Sequence, residues 1–263
     1  MMDQISCKEC GVSISPDTAE DFDGLCASCR RKSNTYVFRD AGKLTKWVRI
    51  ALYAQVAIAA VALVSGYMEY QTLTRLVVGL FPSQQHALSA VQASDSRESV
   101  VALVQLAVAV VSAILILTWI YRANRNARSL GAEDMQYTPG WSVGWYFVPV
   151  AMLWKPYQAM KEIWQASHQP VSWRDAKVGG IVHWWWFLWI ASGVAGQVAF
   201  RLQMNAKTLE DLLNANIAFQ VSNVVDIPLA IGTLLLVNRI FAAQLARSEG
   251  VAEQDPGRSH GEA

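Results

Sequence analysis

Charge is scarce in this chain. Of its 263 residues, 16% are Asp, Glu, Lys or Arg, against ~25% in an ordinary soluble domain. The formal net charge is +1, which excludes a global attraction for polyanions. Cysteine is confined to Cys7, Cys10, Cys26 and Cys29, with none afterwards. The histidines, His86, His168, His183 and His260, form no metal-spaced pair. There is no Ser/His/Asp set, no phosphate loop and no His-Glu-x-x-His stretch, so nothing supports an enzyme. No repeat recurs at solenoid or propeller spacing. No apolar run with a small-residue cleavage site precedes the cysteines, which predicts that no leader is removed.

Apolar residues are abundant, at 53%. Four runs meet the ~20-residue length of a membrane helix: Trp47 to Tyr67, Val100 to Tyr121, Ile181 to Phe200 and Ile217 to Phe241. Lys and Arg alternate around them. Seven precede the first run, two fall in 68–99, seven in 122–180 and two in 201–216. Cytoplasmic segments carry the excess of positive charge. The alternation predicts four spans with both termini cytoplasmic. Ten of the eleven tryptophans would lie in or beside the cytoplasmic interface, where indole prefers to sit. Ala191, Ala195 and Ala199, with the alanines of the first run, allow close helix packing within one chain or in a homo-oligomer.

The first 29 residues place Cys7-x2-Cys10 fifteen residues ahead of Cys26-x2-Cys29. Two cysteines three apart on a tight turn can aim both sulfurs at one tetrahedral ion. Gly11 and Gly24 suit such turns. So short a segment cannot bury a sufficient core, and zinc would supply its folding energy. Two disulfides, or free thiols, are the alternatives. Six acids against one base in 1–29 exclude a phosphate backbone, so no nucleic acid is expected. The expected partner of this ribbon is a protein. Arg30, Arg31 and Lys32 would meet lipid headgroups.

Between the second and third runs lies GWSVGWYFVPVAMLWKPYQAMKEIW, residues 140–164. Trp141 to Trp154 is uncharged but too short to span, and Pro149 interrupts it. Pro156 opens a segment with Tyr157, Met160 and Trp164 on one stripe. The expectation is a short apolar hairpin or re-entrant piece followed by an amphipathic helix on the membrane surface. A buried loop and helix is the alternative. Trp141, Trp145, Lys155, Lys161 and Trp164 are its candidate lipid contacts. Arg122, Arg125 and Arg128, spaced by three, would clamp lipid phosphates or act as plain positive-inside anchors. Arg122 and Arg125 could also pair with Glu162.

Polar residues inside the runs are costly. Gln220, Asn223 and Asp226 recur at three-residue steps in the fourth run, and Gln105, Gln197 and Asp226 all fall in the outer half of the bundle and could meet. They would form either an ion or substrate path through Asp226, as in a small transporter or channel, or a hydrogen-bonded structural group.

The stretches RANRNARSLG (122–131) and TPGWSVGWYFVPVAMLWKPYQAMKEIWQAS (138–167), set within four apolar runs, resemble a bacterial multi-pass membrane family, domain of unknown function 4328 (DUF4328). The resemblance covers roughly 45–245. It matches Asn124, Asn126, Gly140, Trp141, Gly144, Trp145, Pro149, Pro156, Tyr157, Met160 and Trp164. It implies a location in the bacterial inner membrane and a shared core, with no reaction attached.

The expected fold is all-α: a four-helix transmembrane bundle over 47–245, with the interfacial motif at 138–167. A zinc ribbon would occupy 1–35, a basic linker 36–46 and a disordered tail 246–263. The expected role is non-enzymatic: regulation, scaffolding or partner binding, with membrane lipids as the surroundings.

Overall fold

A computed structural model describes residues 5–14, 24, 26, 29 and 36–254. Arg30, Arg31 and Lys32, and the end of the chain from 255, lie outside the described residues.

A two-stranded antiparallel ribbon opens the chain. β1 (Ile5–Ser6) pairs with β2 (Ser13–Ile14), Ile5 opposite Ile14. The rest is helical: α1 (Gly42–Val78), α2 (Gln84–Ser129), α3 (Pro139–Gly144), α4 (Lys155–His168), α5 (Gly180–Asn205) and α6 (Leu209–Gln254). Three of these are long and apolar enough to cross a membrane: α1, α2 and residues 209–249 of α6. The third expected run does form a helix, α5, but it does not join that set. Its tryptophans, glycines and Gln197 dilute its apolar character.

Helix ends correct the loop boundaries. The expected outer loop 68–99 is mostly helix, and only 79–83 turn. Gly79 stops α1 at φ 71°, a left-handed conformation that glycine adopts without a Cβ penalty. The Leu80 N–H donates back to the Arg75 carbonyl at 3.0 Å. Ser83 caps α2, its hydroxyl accepting from the His86 N–H. At ~1.5 Å per residue α1 runs ~55 Å and α2 ~69 Å, well beyond a ~30 Å hydrocarbon core. Thr208 and Asp211 cap α6 reciprocally: the Asp211 carboxylate accepts from the Thr208 N–H, and the Thr208 hydroxyl accepts from the Asp211 N–H. The basic linker becomes helix at Gly42. The expected tail is helical from 246 to 254, because α6 extends past the buried Gln244, whose amide donates to the Ala123 carbonyl and the Ser167 hydroxyl.

In the row of long helices α1 packs along both α2 and α6, and α6 packs along α5. α2 and α5 are therefore its two edges. The core lies at one end, where α1 begins, α2 ends, α5 begins and α6 nears its end. Val48, Leu52, Trp119, Ile120, Ile163, Val182, Trp185, Leu236 and Ile240 meet there. Buried indoles are satisfied: Trp119 donates to the Thr45 hydroxyl at 3.0 Å and Trp185 to the Thr233 hydroxyl at 3.1 Å.

The surface helix expected at 155–168 is instead a buried strut. Ala159, Met160, Ile163, Trp164 and Ala166 are all buried on α4, which contacts α2, α5 and α6. The face that reads as solvent-directed is buried too. Glu162, Gln165 and Ser167 are covered, each with a partner. The stripe of Tyr157, Met160 and Trp164 describes only one side of it. Trp164 is held so closely that a Cβ on Gly179 would lie 2.5 Å from its ring.

A candidate metal centre and the clamp on its exit chain

The ribbon holds very little apolar material. Cys7, Ile14, Cys26 and Cys29 form its whole buried cluster among the described residues. Burial on this scale cannot offset the chain entropy of ordering it. The cysteines are free thiols, with no disulfide among them. Their four sulfurs lie within 4.8 Å of one another, and Cys10 Sγ is 3.5 Å from Cys26 Sγ. Metal–sulfur bonds of ~2.3 Å in a tetrahedron put sulfurs ~3.8 Å apart, so the donor set fits one metal ion.

The local backbone explains the convergence. The Cys7 N–H donates to the Val12 carbonyl, and the Gly11 N–H to the Cys7 carbonyl, closing the turn that carries Cys10. Gly11 has φ 73° and Gly24 φ 78°, both left-handed. The Lys8 N–H donates to the Gly24 carbonyl at 2.9 Å, docking the second cysteine pair on the first. The Cys26 N–H donates to Cys7 Sγ at 3.1 Å, and the Cys29 N–H to Cys26 Sγ at 3.4 Å. Such N–H donors favour thiolate. The Cys26 N–H holds the Cys7 thiol below its ordinary range. The neighbouring Cys10 thiol, with burial, pushes Cys29 up. Were all four deprotonated so close together, they would need a cation between them.

The chain leaving this cluster is gripped by the end of α2. Asn126 is buried, and its side chain pairs with both backbone groups of Arg39: the Arg39 N–H donates to Oδ1 at 3.1 Å, and Nδ2 donates to the Arg39 carbonyl at 2.9 Å. The guanidinium of Arg125 lies 5.8 Å from the ring centre of Tyr36, and that of Arg128 5.6 Å. Arg122 donates to the Asp40 carbonyl at 3.5 Å. The three arginines expected to clamp lipid phosphates thus engage the linker. Arg128 is committed further, donating to Asn124 Oδ1 and to the Met135 and Tyr137 carbonyls.

Glu162 does not pair with Arg122 or Arg125. Its carboxylate accepts from the Tyr137 N–H at 3.0 Å and from the Gln136 N–H. Burial pushes the carboxyl up, opposed by those two N–H donors and by Arg128 and Arg174. Asn124 completes the fastening of this loop, donating to the Tyr137 carbonyl at 2.9 Å.

The remaining candidates separate. Trp141 is exposed, Trp145 and Lys155 are half-buried, and Trp141 and Trp145 lie 4.7 Å apart between ring centres. Lys155 Nζ sits over the Tyr137 and Trp145 rings. Lys161 is half-buried on α4 and Trp164 is buried. Between α3 and α4 two 3-10 turns, Trp145–Phe147 and Ala151–Leu153, flank Val150 at φ 66°, ψ −52°. The Ala151 N–H donates to the Pro149 carbonyl at 2.7 Å, a γ-turn of the rare, strained hand. Phe147, Val150, Leu153 and Trp154 are exposed around it. Deeper in the bundle, Gln105 donates to Asn223 Oδ1 at 2.8 Å, and Ser192 to Asp226 Oδ1 at 2.5 Å. Gln197 is exposed, and no hydrogen bond among the described residues links it to either pair.

Sequence reasoning missed the linker's own part, Tyr36, Arg39 and Asp40. The signal was the pair of asparagines one residue apart, Asn124 and Asn126. Two buried amides on opposite faces of a helix end are costly unless each has a backbone to hold.

These features define an α-helical protein with an N-terminal cluster of four cysteines able to hold a metal ion, and a linker segment fastened to the helical bundle. The chain belongs to the family described as domain of unknown function (DUF4328), whose match spans residues 83–242. The match begins at the cap of α2, so α1 and the cysteine cluster lie outside it. No curated protein and no solved structure matches the chain.

Proposed function

We propose that this is a non-enzymatic protein of the bacterial inner membrane that presents a zinc-held module to a protein partner in the cytoplasm. α1, α2, α5 and α6 form four spans with both termini cytoplasmic. The exposed Trp141, Phe147, Val150, Leu153 and Trp154, with Lys155, rest in the inner-leaflet interface. Zinc is the metal because four thiolates on Cys-x2-Cys turns favour a tetrahedral site with soft ligands.

The observation that carries the reading is the grip of Asn126 on both backbone groups of Arg39. A module tethered only for solubility would not need its exit chain fixed to the bundle. Ile5 and Val12 are exposed on the ribbon, apolar surface suited to a protein contact. The polar side chains of the spans satisfy one another in the Gln105–Asn223 and Ser192–Asp226 pairs, which favours a structural role for them over transport.

A photo-crosslinking residue placed at Val12 in native membranes tests this. The reading expects one protein adduct of discrete mass, lost in the Cys26→Ser, Cys29→Ser variant. Crosslinks to lipid alone, or an adduct indifferent to those substitutions, would contradict it.

A further inference from the structure

Away from the core, towards the 79–83 turn, α1 and α2 leave an open groove between them. Ala60, Val61, Val64, Met68 and Val101 form its walls, and Ser65 and Arg97 lie at its mouth. Apart from Met68, one residue beyond the first run, the walls belong to the apolar runs 47–67 and 100–121. Arg97 stands just before the second run begins, where hydrocarbon gives way to headgroups.

Arg97 is locked in place. Its Nε donates to the Ser65 hydroxyl at 2.9 Å. One terminal nitrogen donates to the Ser65 carbonyl at 3.3 Å and the Ser94 hydroxyl at 3.1 Å. A guanidinium has five N–H groups, and the other terminal nitrogen donates to nothing among the described residues. Glu98 stands beside it, 3.6 Å away. One Glu98 oxygen accepts from the Ser65 hydroxyl at 2.5 Å, and the other accepts from nothing among the described residues. Side-chain exposures of 30% for Arg97 and 28% for Glu98 leave both within reach of a ligand.

We infer that this groove seats one acyl chain of a phospholipid whose phosphoethanolamine headgroup is held by Arg97 and Glu98. The charge pattern selects the headgroup. The unused N–H groups of Arg97 meet a phosphate oxygen. The free oxygen of Glu98 accepts from an ammonium two carbons away from that phosphate. A glycerol headgroup offers no ammonium to the free oxygen of Glu98 and brings a net negative charge beside it. A trimethylated ammonium has no N–H to donate. The neighbouring Asp95, exposed one turn earlier on α2, strengthens the preference for a cation. The walls supply only apolar contact, which suits a saturated or singly unsaturated chain. The topology proposed above fixes which leaflet the lipid comes from; the site does not depend on it.

The test uses the full-length protein in mild detergent, incubated with phosphatidylethanolamine or phosphatidylglycerol of matched chains. Retained lipid is counted by native mass spectrometry. The wild type should hold phosphatidylethanolamine about tenfold better, the worth of one charge-assisted hydrogen bond. Glu98→Gln should erase the preference, and Arg97→Gln should lose both lipids. Val64→Trp fills the groove from a position 63% exposed and leaves the polar residues alone. It should lower retention about tenfold while thermal unfolding stays unchanged. Equal retention of the two lipids by the wild type, a preference for phosphatidylglycerol, or full retention by Val64→Trp would overturn the inference.

Discussion

Asn126, buried at the end of α2, holds Arg39 by both of its backbone groups, as a neighbouring strand would. The segment 36–41, leading into the first turn of α1, is therefore anchored to the bundle. Arg122, Arg125 and Arg128 lie along the same edge and engage Asp40 and Tyr36. This contact joins the segment 36–41 to the end of α2.

Asn126→Ala removes two hydrogen bonds and leaves the Arg39 N–H and carbonyl to find water. The expected cost is about 1–3 kcal/mol, read by thermal unfolding in detergent. Amide exchange at Arg39 should rise while exchange within α2 at Ile120 stays slow. Unchanged protection at Arg39 would show that the clamp does not form.

The loop 132–137 depends on Glu162 in the same way. Its carboxyl is raised in the folded protein by burial, so the folded state holds a proton more tightly than the unfolded one. Stability from this group is then greatest below the ordinary carboxyl value near 4.5. It falls as pH climbs from there through the raised value. Glu162→Gln keeps one acceptor for the two N–H donors and should cost about 1–2 kcal/mol at low pH. It should also flatten the slope of stability against pH above 4.5. A slope identical to that of the wild type would assign it to another group.

Val150 carries the strain of the 141–154 segment. A β-branched residue at φ 66° costs ~1–3 kcal/mol relative to an unstrained conformation. Its side chain is exposed, so little packing opposes a change. Val150→Gly should stabilise the protein by about 1 kcal/mol after the extra chain entropy of glycine is counted. A clear fall in Tm would mean that the side chain is held by contacts outside this chain.

The proposed topology places the 79–83 turn outside the cell and the end of α6 inside. Gln85 and Glu249 are both exposed and accept a cysteine without disturbing a core. An impermeant thiol reagent on intact cells should label Gln85→Cys, and neither the wild type nor Glu249→Cys. Labelling of the unsubstituted chain in intact cells would put the native cysteines outside and reverse the orientation.

Apolar runs and the cysteine spacing were legible in the sequence because each rests on a local count. Where the long helices end was not, since hydropathy stops at Tyr67 while the helix stops only at the left-handed Gly79. The burial of α4 was hidden for a different reason. Glu162, Gln165 and Ser167 read as a wet face, yet loops 132–137 and 169–179 supply the partners of Glu162 and Gln165, and Ser167 bonds to Ile163 and to Gln244 of α6. Arg128 looked like a lipid contact because its acceptors are backbone carbonyls seven and nine residues away, and no side-chain pattern reports a carbonyl. Gln105 and Asp226 were read as able to meet across the bundle. Each found a nearer partner, Asn223 and Ser192.

The account turns on a metal ion among Cys7, Cys10, Cys26 and Cys29, and elemental analysis of the full-length protein purified without chelator measures it directly. The prediction is one zinc per chain in the wild type and none in the Cys26→Ser, Cys29→Ser variant, with α-helical content retained. Equal zinc in the two proteins, or a wild type that carries none and takes up none, would contradict it.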